Sequence, residues 1–212
     1  MRIKVCGVTT AGDAYMASSL GAWAVGLIFA PSSPRALDVA TARLIRSAIG
    51  PETLAIGVFQ DAEPAFIQRA LSACRLDAVQ FHGAEPPEAC VSAAAPVYKG
   101  LGLACAADLA ALDRYAGRVA GFLLETVRRL PGGREAIDEP ERRARWALAR
   151  QAGLSSAVIL AGELTPENVG EAVRVAEPAG VDVCGGVEAS PGVKDPGKLR
   201  AFFQAVREAE RA

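Results

Sequence analysis

The sequence predicts an α/β fold, an eight-stranded parallel (β/α)8 barrel of the TIM type, and three observations carry that expectation. Short apolar runs recur eight times at nearly even spacing along the chain. The stretches between them have helical rather than strand periodicity. The chain is 51% hydrophobic but only 6% aromatic, so its core must be built from Ala, Val, Leu and Ile. That composition suits parallel strands buried on both faces under Ala-rich helices.

The eight runs are RIKVCG at the start, AVGLIF (24–29), LAIGVF (54–59), AVQFHG (78–83), VYKGLG (97–102), GFLLET (121–126), AVILAG (157–162) and VDVCGG (181–186). Each is short, mostly β-branched or apolar, and ends in glycine or a polar residue, which is how a strand covered on both faces reads. Segment 38–49 places Val39, Ala42, Ile45 and Ile49 on one helical face and displaces Arg43 and Arg46 from it. Glu139 to Gln151 reads as an Arg-rich helix with a solvated face. TPENVGEAVRVAE (165–177) carries a start signature, with Thr165 to cap, Pro166 in the first helical position and Glu167 in the first turn. From Asp195 onward, Leu199, Phe202, Phe203 and Val206 cluster on one face of a C-terminal helix.

Eight such units in 212 residues make a barrel somewhat shorter than the typical ~250 residues. Composition does not shift along the chain and no linker interrupts it, so residues 1–212 read as a single domain. A doubly wound open sheet is the alternative. It would place G-x-G-x-x-G after the first strand, where VTTA instead separates Gly7 from Gly12.

A net charge of −1 offers nucleic acid or an anionic membrane no general attraction, so a bound anion must be held locally. Five cysteines form no C-x-x-C pair, and one histidine, His82, leaves too few soft ligands for an ordinary zinc site. The thiols read as reduced, and no leader or membrane-spanning run is present, so the expectation is a soluble cytoplasmic protein.

In such a barrel the C-terminal ends of the strands face the active site. That rule puts Cys6, Gln80, His82, Glu125, Gly162, Glu163, Cys184, Gly185 and Gly186 on one rim. A free thiol has a pKa of ~8.5 and needs a positive neighbour to become a thiolate near neutrality; Lys4 is two residues away. The plain alternative for Cys6 is an inert small hydrophobe.

KVCGVT, GLIFAPSSPRAL (26–37), IGVFQD (56–61), LDAVQFHGAEPPE (76–88), LAGELTPENV (160–169) and VDVCGGVEASPGVKDPGKLRAF (181–202) run from end to end of the chain. In these stretches the sequence resembles the phosphoribosylanthranilate isomerase family of tryptophan biosynthesis. The resemblance implies an Amadori rearrangement: an aminoaldose opens to a Schiff base, loses the proton at sugar C2 and becomes an aminoketose. It implies Cys6 as general base and a carboxylate at position 125 as the general acid that protonates the ring oxygen. The family carries aspartate there, and this chain has Glu125, one methylene longer. Arg35 matches the arginine that pairs with the anthranilate carboxylate, a planar fork for a planar anion. Asp182 matches a family aspartate, with substrate hydroxyls or the backbone as its candidate partners. Gln80 and His82 read as support around the substrate.

The loops after strands seven and eight would hold the phosphate through backbone N–H groups, at Gly162–Glu163 and at Gly185–Gly186. Here the chain departs from the family. Glu163 replaces a glycine of the usual G-G-L and sets a carboxylate beside a dianion. Cys184-Gly185-Gly186 replaces S-S-G, which removes a hydroxyl donor worth roughly 0.5–1.5 kcal/mol. After strand six, PGGREAIDEP replaces a longer family loop; Gly132, Gly133 and Asp138 can be matched, and Arg134 has no assigned partner. The resemblance implies no cofactor and no metal, and it leaves monomer and homodimer open. Two other readings stand beside the isomerase: a diverged paralogue acting on a related phosphorylated aminosugar, and a catalytically silent barrel that binds a phosphorylated metabolite.

Overall fold

The computed structural model of the chain describes residues 1–127, 129–130, 133–135 and 137–211. Eight strands close into an all-parallel barrel: β1 (Arg2–Cys6), β2 (Ala24–Ile28), β3 (Leu54–Phe59), β4 (Ala78–Phe81), β5 (Val97–Gly102), β6 (Gly121–Glu125), β7 (Val158–Ala161) and β8 (Gly180–Val183). Each strand pairs with its sequence neighbours, and β8 returns to β1 with Lys4 opposite Asp182 and Val5 opposite Val183. Seven lie within the predicted runs, and β8 starts one residue ahead of its run, at Gly180. The terminal Gly or polar residue of several runs falls just past the strand, on the rim.

Eight α-helices alternate with the strands among the described residues: α1 (Ala11–Ser19), α2 (Val39–Arg46), α3 (Pro64–Cys74), α4 (Pro87–Ser92), α5 (Ala110–Asp113), α6 (Glu139–Gly153), α7 (Val169–Ala176) and α8 (Pro196–Ala209). Side-chain caps fix four of the starts: Thr10 accepts from the Asp13 amide, Asp38 from Thr41, Asp138 from Glu141 and Asp195 from Lys198. Asp138, matched in sequence to a substrate-loop residue, therefore works as the cap of α6. α7 starts four residues later than Thr165. The Asn168 Oδ1 atom accepts from the Thr165 amide at 2.8 Å, so Thr165 to Asn168 close a turn ahead of the helix and Thr165 is not its cap.

Period-two alternation sorts each strand into an outward and an inward set. Outward residues such as Val5, Leu27, Leu124, Val181 and Val183 form one large cluster with the helices, and Leu199, Phe202, Phe203 and Val206 of α8 join it as the sequence predicts. Inward residues fill the barrel floor: Ala24, Ile56 and Ala78 on one side and Leu123, Ile159 and Ala161 on the other, both packed on Trp23 and Tyr98. Those two rings meet edge-on at 5.6 Å. An apolar floor leaves only the upper end open, which is where chemistry can be housed. Above it the inward face turns polar, beginning with the Lys4–Asp182 ion pair at 2.7 Å.

The Arg-rich helix is less solvated than its sequence suggests. Arg145 of α6 is buried, donates to the Thr126 carbonyl at 2.9 Å, and pairs with Glu135 and Glu141.

Candidate active site

A cavity of about 700 Å³ opens at the C-terminal end of the barrel, within the 300–1,000 Å³ usual for small-ligand sites. Every residue picked out from the sequence lines it: Cys6, Arg35, Gln80, His82, Glu125, Gly162, Glu163, Asp182, Gly185 and Gly186. Gly132 lies outside the described residues, as does the side chain of Arg134.

Cys6, the last residue of β1, is 6% exposed and sits above the Lys4–Asp182 pair. Burial alone would lower the Lys4 ammonium, but the Asp182 carboxylate and the Cys6 sulfur outweigh it and hold its pKa above the ordinary value. Lys4 is therefore a fixed cation beneath the thiol, with Asp182 offsetting part of its charge. Asp182 is committed to Lys4 through Oδ1 and turns toward the cavity from the middle of β8.

Glu125 closes β6. Its Oε2 lies 3.4 Å from the Nε2 atom of His82, whose Nδ1 lies 3.2 Å from the side-chain amide of Gln80. Gln80, His82 and Glu125 thus form a chain of side-chain contacts running from β4 to the end of β6.

Arg35, in the loop after β2, is gripped by Glu188: Nε donates to Oε1 at 2.7 Å and Nη2 to Oε2 at 2.5 Å. Lys194 holds the same carboxylate at 2.9 Å. A doubly held guanidinium is rigid, because its side-chain entropy is already lost. Its Nη1 has no partner among the described residues.

The loops after β7 and β8 touch. A Cβ added at Gly186 would lie 1.9 Å from the Leu164 carbonyl oxygen, so only glycine permits this close approach of the two backbones. Glu163 adopts a φ of +54°, the left-handed region that favours glycine. The geometry explains why a glycine is the natural residue there and locates the carboxylate on the exposed side of the same cavity wall.

Among the lining or supporting residues that sequence reasoning missed are Glu188, Arg142, Thr165 and Asn168. Glu188 had a signal, since a hairpin (188–190 with 193–194) brings it against Lys194 six positions on. Arg142 had none. It sits on the helix read as solvated, and its position in the first turns of α6 sets it over the cavity edge.

Among the described residues, no cluster of three or more His, Cys, Asp or Glu is arranged to hold a metal ion, and no helix is long and apolar enough to cross a membrane.

Residues 3–205 match the family profile described as N-(5'-phosphoribosyl)anthranilate (PRA) isomerase. The N-(5'-phosphoribosyl)anthranilate isomerase of Pseudomonas fluorescens (strain SBW25) is 42% identical, with 100% of this chain and 98% of the relative covered. That of Myxococcus xanthus is 43% identical, with 98% and 96% covered. The crystal structure of phosphoribosyl anthranilate isomerase from Thermotoga maritima superposes with a TM-score of 0.88 at 34% identity, over 98% of this chain and 99% of that one. A phosphoribosyl anthranilate isomerase in complex with reduced 1-(o-carboxyphenylamino)-1-deoxyribulose 5-phosphate gives 0.84 at 33% identity, with the same coverage.

Proposed function

The chain belongs to the N-(5'-phosphoribosyl)anthranilate isomerase family, and from that premise we infer that it isomerises N-(5'-phosphoribosyl)anthranilate to 1-(o-carboxyphenylamino)-1-deoxyribulose 5-phosphate in tryptophan biosynthesis. The observation that carries the mechanism is that a thiol and a carboxylate, Cys6 and Glu125, line one cavity between a tethered arginine and two glycine-bounded loops.

In this reading Glu125 gives its proton to the ring oxygen, the C1–O bond breaks, and the nitrogen lone pair forms the C1=N iminium. Cys6 then takes the C2 proton. The C–H electron pair becomes the C1=C2 bond, the iminium is neutralised, and the enol tautomerises to the ketone. Lys4 supplies the positive field that favours the thiolate. His82 and Gln80 hold the acid in place, Arg35 takes the anthranilate carboxylate, and the 162–163 and 185–186 backbones take the phosphate. All of these groups come from one chain, so a monomer or a homodimer serves equally; the Thermotoga maritima relative is described as dimeric. We place the reaction in the cytoplasm, where reduced thiols persist.

Turnover is tested by generating the substrate in place and following loss of its fluorescence. Wild type is expected to turn over. Glu125→Gln, which cannot protonate the ring oxygen, should lose ~10²–10⁴-fold in kcat. Glu125→Asp should keep the chemistry but retract the acid from His82, lowering kcat by up to ~10²-fold for about 1 Å of displacement. A Glu125→Gln enzyme with wild-type kcat would remove Glu125 from the reaction.

Glu163→Gly should lower KM several-fold with little change in kcat, because it removes a carboxylate from the phosphate wall and meets the left-handed φ without strain. Steady-state kinetics decides it: an unchanged KM means that the Glu163 carboxylate turns away from the anion.

A further inference from the structure

Cys6 is not the only sulfur at the mouth of the barrel. Strand register pairs Lys4 with Asp182 and Val5 with Val183 up to the end of β8, and Cys6 and Cys184 are the next residue along each chain segment. Both line the cavity. The backbone is fitted to this pair. Gly7, at φ +68°, would place a Cβ 3.0 Å from the Cys184 sulfur and 2.5 Å from Cδ of Arg35, and a Cβ on Gly26 would lie 2.8 Å from the Cys6 sulfur. Glycine at both positions gives the two sulfurs their space.

We propose that Cys184 is the second half of the base, sharing one proton with Cys6 so that the two sulfurs act as a single proton acceptor facing sugar C2. The proposal rests on the isomerase reading above and deepens it. At rest the pair carries one proton and one negative charge, as Cys6 S–H donating to a Cys184 thiolate. Passing that proton across to Cys184 makes Cys6 the thiolate. When Cys6 then takes the C2 proton, both sulfurs are protonated and the C–H electron pair stays on the substrate. Cys184 acts through Cys6 and is a positioning residue.

The surroundings support the division of labour. The hydrogen bond to Cys184 and burial push the Cys6 thiol well up, against the pull of Lys4. The hydrogen bond from Cys6 brings the Cys184 thiol down to about 7, with burial opposing and Lys194 and Arg35 adding to the fall. The Lys194 ammonium also donates to the Cys184 carbonyl at 3.0 Å. Asp182 opposes ionisation of both sulfurs, and Glu188 tempers Arg35 and Lys194 by binding both. Glu125, His82, Glu163, Glu167 and Arg142 line the same cavity.

The test is the pH profile of kcat/KM beside an ultraviolet titration of thiolate, for wild type, Cys184→Ser and Cys184→Ala. Wild type should show an acid limb near pH 7, where Cys184 titrates, and one thiolate appearing over the same range. In both variants the limb should move up by at least about one pH unit, toward or beyond the ~8.5 of an isolated thiol, and the neutral thiolate signal should vanish. kcat/KM at pH 7 then falls ~10-fold or more and recovers at high pH, a recovery that structural damage would not give. Serine keeps the shape and a hydrogen bond but cannot take on the charge, so it guards against loss of folding in the alanine variant. An unmoved limb, or a thiolate titration unchanged in Cys184→Ser, overturns the proposal. Should wild type fail to turn over at any pH, the isomerase reading falls, while the thiolate titration still decides whether the two sulfurs share a proton.

Discussion

Cys6→Ala is expected to lose ~10²–10⁴-fold in kcat/KM, the usual worth of a positioned general base, while keeping its fold. The fold survives because Cys6 stands at the open end of the barrel, above the apolar floor and outside the large outer cluster. Removing one sulfur there trims a small group beside a cavity, far from the fully packed sites where truncation costs 2–5 kcal/mol. Cys6→Ser separates shape from basicity: it fits the same space, but a hydroxyl is a far poorer base than a thiol at neutral pH. It should lose nearly as much as alanine, with no recovery up to high pH. Circular dichroism and thermal unfolding check the fold, and loss of substrate fluorescence reports the rate. Activity within threefold of wild type in Cys6→Ala would move the base elsewhere, with Cys184 the first candidate. The alanine variant also has a consequence for that neighbour. Cys184 loses the hydrogen bond that contributes most to its low pKa, so its titration should move up toward the ordinary thiol value.

Much of the architecture was legible in the sequence, because a parallel strand buried on both faces leaves a compact apolar run and the barrel rule converts each run's end into a rim position. Cys6, Glu125 and the glycines at 162, 185 and 186 were found that way, each with a motif to point at it. What escaped was whatever depended on contact across long sequence separations. Glu188 meets Arg35 across 153 positions, and nothing in either local stretch reveals that the anchoring arginine is already held. Lys4 was visible as a charge near the thiol, yet its partner Asp182 lies 178 positions away, so the net field at Cys6 could not be read. The misplaced start of α7 has a different cause. Thr-Pro-Glu is a sound start signature locally, and it lost to an Asn168 side chain that folds back on the Thr165 amide. The meeting of Cys6 with Cys184 combines both difficulties: each thiol was placed on the rim, but only the closure of β8 onto β1 brings the two strand ends together.

The largest stability effect should come from outside the catalytic pair, at Lys99 and Glu85. Lys99 is 1% exposed and its ammonium donates to Glu85 Oε2 at 2.7 Å and to the Gly83 carbonyl at 2.6 Å. The Glu85 carboxylate also accepts from the backbone amides of Asp61 and Gly83, both at 2.9 Å, which joins the loops after β3 and β4. Lys99→Met removes the cation and leaves this carboxylate buried without its counter-charge, so ~3–5 kcal/mol of stability should be lost. At roughly 2–4 °C per kcal/mol for a domain of this size, Tm should fall by roughly 6–20 °C. Glu85→Gln leaves the opposite charge stranded and should be damaging for the same reason. The double variant is the decisive comparison: with both charges gone neither is stranded, so its loss should be smaller than the sum of the two single losses by more than ~1 kcal/mol. Strict additivity would mean that the Lys99–Glu85 pair contributes no coupling and that each side chain acts only through its bonds to the backbone. The cluster also bears on the site, because Gly83 follows His82 directly and a Cβ on Gly100 would meet the His82 ring at 2.4 Å. The imidazole that orients Glu125 therefore stands on a loop root fixed by Lys99 and Glu85. Loosening that root should broaden the temperature dependence of kcat in Lys99→Met well below its own Tm, an effect that a variant destabilised elsewhere in the outer core would not share.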